Sequence, residues 1–166
     1  MEMKITGKVW KFGDNIDTDV ISPAAYIDLP VDEMKVYTLK AVNPNFSEQV
    51  KHKDVIQGGR NFGCGSSRET APAVLKALGV GCVVAESFGR IFFRNCIAIG
   101  LPILLCKNVS EYFEDGDPIE IDIKKAVLVN NRTLKKIQAE QLSEEMQTVL
   151  EKGGVAPLLK ALAQNK

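Results

Sequence analysis

The chain has 166 residues, and its 21 lysine and arginine residues balance its 21 aspartate and glutamate residues, so the formal net charge is zero. Nucleic-acid-binding proteins usually carry a basic excess or a basic stripe, and this balance argues against that class. The apolar share of 45% and the charged share of 25% are typical of a globular protein. We therefore expect a single domain over residues 1–166 with a hydrophobic core of its own.

No segment of the sequence has the length and apolarity of a membrane span. The longest apolar run covers residues 97–106 and is interrupted by Gly100 and Pro102, whereas a span needs about 20 apolar residues. The first eleven residues alternate polar and apolar side chains and lack the apolar centre of a signal peptide. We therefore expect a cytoplasmic protein.

The first half of the chain predicts strands that alternate with helices. A strand is expected over residues 5–12, ending in a turn at 13–15, and a long functional loop with one short helix is expected over 17–45. Further on, the apolar periodicity predicts strands over 54–57, 80–85 and 102–106, with helices over 67–79 and 88–99 between them. Strands connected in this way pair in parallel.

The second half of the chain predicts an antiparallel addition. A hairpin is expected over residues 117–123 and 126–129, followed by helices over 143–152 and 156–164. The predicted fold class is therefore α/β, a mixed sheet with a parallel core and helices packed on it.

The cysteines are poorly spaced for a metal site. Cys64, Cys82, Cys96 and Cys106 form no C-x-x-C pair, and His52 is the one histidine in the sequence. Zinc and iron–sulfur sites usually draw on closely spaced thiolates, so we expect no metal held by this chain alone. Three of the cysteines lie among aliphatic residues and are expected to be buried, whereas Cys64 lies between two glycines and is expected to face a site.

The glycine-rich segment over residues 58–69, GGRNFGCGSSRE, carries the strongest chemical signal. Four glycines in eight positions predict positive φ angles or close backbone approach. The segment is expected to end at a helix N-terminus, where unpaired N–H groups favour a carboxylate or phosphate. Arg68 would oppose the helix dipole there, and a bound anion would explain its position. A plainer interpretation is a capping box between Ser66 and Glu69, which is compatible with anion binding.

Three motifs, taken together and in this order, resemble the C-terminal domain of the aconitase superfamily. They are GDNIDTDVI over residues 13–21, GRNFGCGSSRE over 59–69 and SFGRIFFRN over 87–95. Isopropylmalate dehydratases, homoaconitases and dimethylmalate dehydratases carry this domain as a separate small subunit. The resemblance implies a swivelling β/β/α domain that closes over a large subunit, in a heterodimer or heterotetramer. It also implies that a [4Fe-4S] cluster is held by the large subunit and not by this chain.

The activity that the resemblance implies is the reversible loss and re-addition of water on a branched 2-hydroxy dicarboxylic acid. The first expectation is 3-isopropylmalate dehydration in leucine biosynthesis, with dimethylmalate, methylmalate and homoaconitate hydration as alternatives. A rival from another class is an anion-binding regulatory module of the same fold, against which the intact GCGSSRE segment argues. A second rival, RNA binding, is disfavoured by the zero net charge.

The resemblance also implies roles for residues of the glycine-rich segment. Ser66 would be the base that takes a proton from the carbon next to a carboxylate, which requires that its alkoxide be strongly stabilised. Arg68 would clamp a substrate carboxylate, with Ser67 beside it, and Gly65 and Cys64 would line the same site. These residues are the expected substrate-binding group of the segment.

Other polar residues allow competing interpretations. Asp19 matches an aspartate close to the family's active site and is the second catalytic candidate, although an Asx-turn with Thr18 is an equal alternative. Arg90 and Arg94 are expected to form ion pairs rather than face a site. The acidic run over residues 111–117 is expected to be a solvated loop.

In the related small subunits, the loop after the Asp-Thr-Asp motif helps to select the substrate. Homoaconitases tend to place an arginine there, and this chain has no arginine between Ile5 and Gly59. The expected substrate-binding residues of the loop are Tyr26, Ile27, Asp28 and Leu29. The aliphatic pair suits an alkyl group, and Asp28 would repel an additional carboxylate. A charged residue such as Asp28 is unusual in an apolar pocket. The alternative interpretation is that its side chain faces solvent.

Overall fold

The computed structural model describes residues 3–165. In that part of the chain the strands are β1 (Lys4–Lys11), β2 (Val55–Gly58), β3 (Cys82–Ala85), β4 (Ile103–Leu105), β5 (Pro118–Asp122), β6 (Val127–Asn130) and β7 (Lys136–Gln138). They form one sheet in the order β4-β3-β2-β1-β5-β6-β7. β1 to β4 pair in parallel, and β1, β5, β6 and β7 pair antiparallel. The predicted mixed sheet with a parallel core is confirmed.

β1 joins the two kinds of pairing. Its first part pairs antiparallel with β5, from Lys4 opposite Asp122 to Lys8 opposite Pro118. Its last three residues pair in parallel with β2, from Val9 opposite Val55 to Lys11 opposite Gln57. Every residue of β2 and β3 is buried, as expected for parallel strands that are covered on both faces.

The longer helices are α4 (Thr70–Ala77), α5 (Arg90–Ile99), α6 (Glu144–Glu151) and α7 (Val155–Gln164), which follow the shorter α1 (Thr18–Ile21), α2 (Val31–Met34) and α3 (Phe46–Gln49). α4 packs against α2 and α5, and α5 packs against α6 and α7. The helices predicted from apolar periodicity are therefore present. Within residues 3–165, no helix has the length and apolar character that crossing a membrane requires.

The segment over residues 17–45 is more helical than the sequence predicted. It contains α1, α2 and two 3₁₀ turns, Ala24–Tyr26 and Lys35–Tyr37. Pro23 and Pro30 immediately precede a turn and a helix, positions that suit proline because the first N–H groups of a helix need no partner within it. Elements of three or four residues are too short to show a periodicity. β7 was missed because its three residues include one apolar side chain, Ile137, and so lack the apolar run that predicted the equally short β4.

The cysteine prediction is confirmed for the three core thiols. Each of these three residues is fully buried: Cys82, Cys96 and Cys106. Burial raises the pKa of the Cys82 and Cys96 thiols well above the ordinary value. Burial, with a smaller contribution from nearby Glu86, raises the pKa of Cys106 to about 11. These thiols stay protonated at neutral pH and contribute as apolar core groups.

Asp117 departs from the prediction for the acidic run. It is 5% exposed, and it accepts hydrogen bonds from Arg132 Nε at 2.6 Å and from Asn130 Nδ2 at 2.8 Å. The Arg132 guanidinium, followed by the Glu114 N–H, holds the pKa of Asp117 well below its usual range. The solvated-loop prediction is wrong for this residue, because Arg132 reaches it from the turn after β6, a contact with no signal in the run itself.

We predict that Asp117→Asn destabilises the fold by about 1–3 kcal/mol at neutral pH, the usual cost of losing a charged hydrogen bond. Because the folded-state pKa is lowered, this stabilisation is complete above the unfolded pKa of about 3.9 and disappears as the pH falls below it. The difference between the two proteins in urea unfolding should therefore shrink under acid. Glu111→Gln, in the exposed part of the same run, is the control and should match the wild type at every pH.

Candidate functional site

Two of the sequence motifs lie side by side as a continuation of the β1–β2 pairing. Past the end of β1, segment 13–18 runs beside segment 59–64. The Gly59 N–H donates to the Gly13 carbonyl at 3.1 Å, and the Gly63 N–H donates to the Ile16 carbonyl at 2.7 Å. At the far end, the Thr18 N–H donates to the Cys64 carbonyl at 2.9 Å. Parallel strands end at the same edge of a sheet, so both motifs emerge together at the carboxyl edge.

Two glycines of segment 59–64 lie where neighbouring atoms leave no room for a side chain. Gly63 has φ +77°, and a Cβ there would collide with the Phe92 ring. At Gly59 a Cβ would collide with the Asp14 carboxylate, which accepts the Arg60 N–H at 2.7 Å. The prediction that these glycines serve positive φ or close approach is confirmed.

The predicted capping box between Ser66 and Glu69 is wrong. α4 begins at Thr70, and Glu69 is its cap residue in helical geometry without a side-chain capping bond. Ser66 lies outside the helix, and Arg68 also precedes it. The argument that Arg68 opposes the dipole of the first turn is therefore wrong as well. Apolar periodicity alone placed the helix start too early, because it cannot distinguish a helical turn from a turn of the preceding loop.

Arg68 is held by the end of the first motif and by the residue that follows it. Its Nη1 donates to Asp19 Oδ1 at 2.9 Å and to the Ser22 carbonyl at 2.8 Å. The side chain of Arg68 is 18% exposed and that of Asp19 is 63% exposed. In residues 3–165 the Nε and Nη2 groups of Arg68 form no hydrogen bond. The guanidinium is thus fixed by one nitrogen and keeps the edge formed by Nε and Nη2 for a further acceptor.

Asp19 connects Arg68 to the loop that follows α1. Its Oδ1 also accepts the Ala24 N–H at 2.9 Å. This backbone hydrogen bond, together with the one from Arg68, lowers the pKa of Asp19. Asp19 is therefore a carboxylate at neutral pH. The alternative Asx-turn belongs to another residue, because Asp17 accepts the Val20 N–H at 2.8 Å and caps α1.

Ser66 is adjacent to a buried hydroxyl. The Thr18 Oγ1 lies 3.1 Å from Ser66 Oγ, and it donates to the Ser66 carbonyl at 3.2 Å. Thr18 is only 2% exposed, whereas Ser66 is exposed. The Thr18 proton thus has two acceptors on one residue, the carbonyl and the hydroxyl.

Sequence reasoning missed Thr18 and Ser22 as members of this cluster. The Ser22 hydroxyl, 1% exposed, donates to Thr70 Oγ1 at 2.9 Å, while its carbonyl accepts from Arg68. Thr18 immediately precedes Asp19 in the first motif, and Ser22 directly follows that motif, so proximity to Asp19 was the available signal. Their partners lie 48 residues away in the chain, so no local pattern could reveal the contacts.

The other predicted site residues surround this cluster at the surface. Ser67 and Gly65 are exposed, and Cys64 is half-buried. In the loop, Tyr26 stacks on Tyr37 with ring centroids 3.6 Å apart. The two aliphatic residues of the loop differ in burial. Leu29 packs against the core, whereas Ile27 is 50% exposed.

A metal site needs several donor side chains close together. Within residues 3–165 no three His, Cys, Asp or Glu side chains come together in a way that could bind an ion. Three of the four thiols are core groups far from neutral-pH ionisation. The side chains that the structure describes therefore do not fit an iron–sulfur cluster.

Comparison with known proteins identifies the domain. Residues 20–108 match the Aconitase C-terminal domain. The chain is 45% identical to the isopropylmalate/citramalate isomerase small subunit of Methanocaldococcus jannaschii, with 96% of each chain covered. It belongs to the aconitase C-terminal domain family.

The likeness to small subunits of this family runs from end to end. The 3-isopropylmalate dehydratase small subunit of Aquifex aeolicus is 45% identical, with 100% of each chain covered. The crystal structure of a 3-isopropylmalate dehydratase from Methanocaldococcus jannaschii superposes with a TM-score of 0.91 at 38% identity, with 98% of each chain covered. The resemblance seen in the three motifs and the α/β fold are both confirmed.

We predict that Asp17→Ala destabilises the chain by about 1 kcal/mol, the usual cost of losing a helix cap. Glu69→Ala is the matched control at the start of α4 and should change the unfolding free energy by less than about 0.5 kcal/mol. Urea denaturation measures both. An equal loss in the two variants would mean that Glu69 caps α4 after all.

Proposed function

We propose that the chain is the small subunit of a hydro-lyase that reversibly dehydrates a branched 2-hydroxy dicarboxylic acid, with 3-isopropylmalate as substrate and leucine biosynthesis as setting. The observation that carries the proposal is the end-to-end identity of 45% with small subunits of that name. The geometry adds a surface cluster in which Arg68, Asp19 and Ser66 lie at one edge of the sheet. The cytoplasm is the compartment we propose for it.

The partner is a large subunit that covers this edge, with residues 1–166 acting as one swivelling domain. Ser66 and Ser67 are exposed in the chain on its own, so a substrate held there needs a second wall to exclude water. The family resemblance assigns a [4Fe-4S] cluster to the large subunit, where it would act as the Lewis acid toward the substrate hydroxyl.

In the proposed reaction, Arg68 binds a carboxylate of the substrate. Its Nη1 is occupied by Asp19 and Ser22, which leaves Nε and Nη2 to form a bidentate pair with the carboxylate. Asp19 is then a positioning residue that holds the guanidinium and the start of the loop after α1. Its lowered pKa keeps it charged, which favours this role over proton transfer at neutral pH.

Ser66 Oγ, as the alkoxide, takes the proton from the carbon next to the bound carboxylate and becomes a neutral hydroxyl. The electron pair of the broken C–H bond forms the double bond, and the adjacent C–O bond breaks with loss of hydroxide, so that one water molecule is removed in total. A serine alkoxide needs stabilisation, because the hydroxyl is a weak base near neutral pH. The Thr18 hydroxyl lies 3.1 Å away and can turn from the Ser66 carbonyl toward Oγ when Oγ loses its proton. Re-addition of water reverses these steps and can place the hydroxyl on the other carbon.

The loop after α1 would contact the variable group of the substrate. Ile27 offers exposed apolar surface to an alkyl group, at about 0.8 kcal/mol for each buried methylene. The exposed Asp28 disfavours an additional carboxylate, which argues against homoaconitate. Methylmalate is the nearest competitor, since the name of the Methanocaldococcus jannaschii relative pairs isopropylmalate with citramalate, another alkyl-substituted malate.

The proposal is tested by mixing the purified chain with the large subunit of its own organism. The chain alone should be colourless and inactive, and the mixture should turn over 3-isopropylmalate. Ser66→Ala should reduce kcat by at least about a hundredfold, because it removes a proton acceptor used in the transition state. Its KM and assembly should stay near the wild-type values.

The control is Ser47→Ala, a half-buried serine that donates to the Val36 carbonyl outside the cluster, and it should keep full activity. Single-turnover rate and melting temperature are measured on each variant. A stable Ser66→Ala complex with wild-type turnover would refute the role of Ser66, and an inactive wild-type mixture would refute the hydro-lyase proposal.

We further predict that Asp28→Arg shifts kcat/KM toward substrates with an extra carboxylate, such as homoaconitate, by about tenfold or more, as expected for a new charge pair. Asp32→Arg makes the same charge change on α2 and should leave the ratio unchanged. Competition between 3-isopropylmalate and homoaconitate on each reconstituted enzyme measures the ratio. A wild-type preference for the tricarboxylate would contradict the proposed role of the loop.

A further inference from the structure

A second concave surface lies between α5 and the start of α6. It is a cleft of about 460 Å³, large enough to admit one or two side chains of a partner. The walls are apolar and are formed by Phe88, Phe93, Leu105, Leu142 and Met146. We call this surface the α5–α6 cleft.

The rim of the α5–α6 cleft carries two arginines. Arg90 and Arg94 both lie on its edge, one turn apart on α5, and both are exposed. The expectation that they form ion pairs is wrong, because within residues 3–165 neither is paired with a carboxylate. Glu140 is the acidic residue that lines the cleft with them, so the charged residues of the lining carry an excess of positive charge.

Arg90 is also unfavourably placed for its own helix. It is the first residue of α5, where a cation opposes the helix dipole and an aspartate or glutamate would stabilise the helix. Local energetics therefore do not explain this residue. An acidic group on a partner would, since it would interact favourably with both arginines and with the helix end.

The α5–α6 cleft adjoins the glycine-rich segment. The Gly89 N–H donates to the Phe62 carbonyl at 2.9 Å, and the rings of Phe62 and Phe88 meet edge to face at 6.3 Å. Phe88 is thus both a wall of the cleft and a support of the segment that carries Ser66 and Arg68. A subunit that covers the candidate site would extend directly onto this surface.

We propose that the α5–α6 cleft is a docking site for the large subunit, which inserts an apolar side chain flanked by carboxylates. This inference rests on the proposed function for the identity of the partner. The apolar walls favour a protein side chain over a free carboxylate or phosphate, which would gain nothing from them. The arginines then determine which segment docks and in which register.

The test compares two double variants with equal charge change. Arg90→Glu/Arg94→Glu reverses the rim, and glutamate in the first turn of α5 should not weaken the helix. Lys135→Glu/Lys136→Glu makes the same change on exposed residues at the β7 edge, away from the cleft. Calorimetric titration with the large subunit at low and high salt measures the dissociation constant, and thermal melting checks that each variant is folded.

The rim variant should weaken assembly by about a hundredfold or more, because it places like charges against the partner. The salt dependence of assembly should become shallower in the rim variant, while the lysine variant stays close to the wild type. Wild-type assembly by a folded rim variant would overturn the docking proposal alone. Normal assembly with reduced activity would also overturn it and would indicate a small-molecule site. Failure of the wild-type chain to bind the large subunit would overturn the proposed function as well.

Discussion

The backbone pairing between segments 13–18 and 59–64 is the interaction on which the candidate site depends. It extends the parallel β1–β2 pairing beyond the sheet, so two motifs more than 40 residues apart emerge at one edge in a fixed register. The fit is close enough that a side chain at Gly59 or Gly63 would collide with Asp14 or Phe92. A side chain at Gly59 would displace the Asp14 carboxylate from the Arg60 N–H, and one at Gly63 would also have to adopt an unfavourable positive φ.

The side chains beyond this pairing form a chain of contacts rather than a set of independent groups. Thr18 contacts Ser66, and Asp19 holds both Arg68 and the loop that starts at Ala24. The proposed base, the proposed carboxylate clamp and the proposed specificity loop thus share one short helix, α1, as their support. Asp17 caps that helix. A substitution that shifts α1 would therefore displace the proposed base, the proposed clamp and the proposed specificity loop together.

The sequence predicted the parts of the structure in which the signal is local. β3 is a continuous apolar run, as expected for a buried strand, and α5 repeats its apolar residues at helical spacing. The motif carrying Ser66 and Arg68 was found by its composition. Contacts between distant residues were not predictable, as with Thr18 and Ser66 or Asp117 and Arg132. The capping box failed because Ser66 and Glu69 have the right spacing but a loop conformation, which spacing alone cannot reveal.

The burial of three cysteines has a practical consequence for work on this chain. Cys82, Cys96 and Cys106 are enclosed in the core with raised pKa values, so they resist alkylation while the protein is folded. Cys64, half-buried beside Ser66 in the glycine-rich segment, is the thiol that reagents can reach. The native sequence therefore provides a single attachment point for a fluorescent or spin label. The signal of that label would change if the proposed large subunit covers this edge of the sheet.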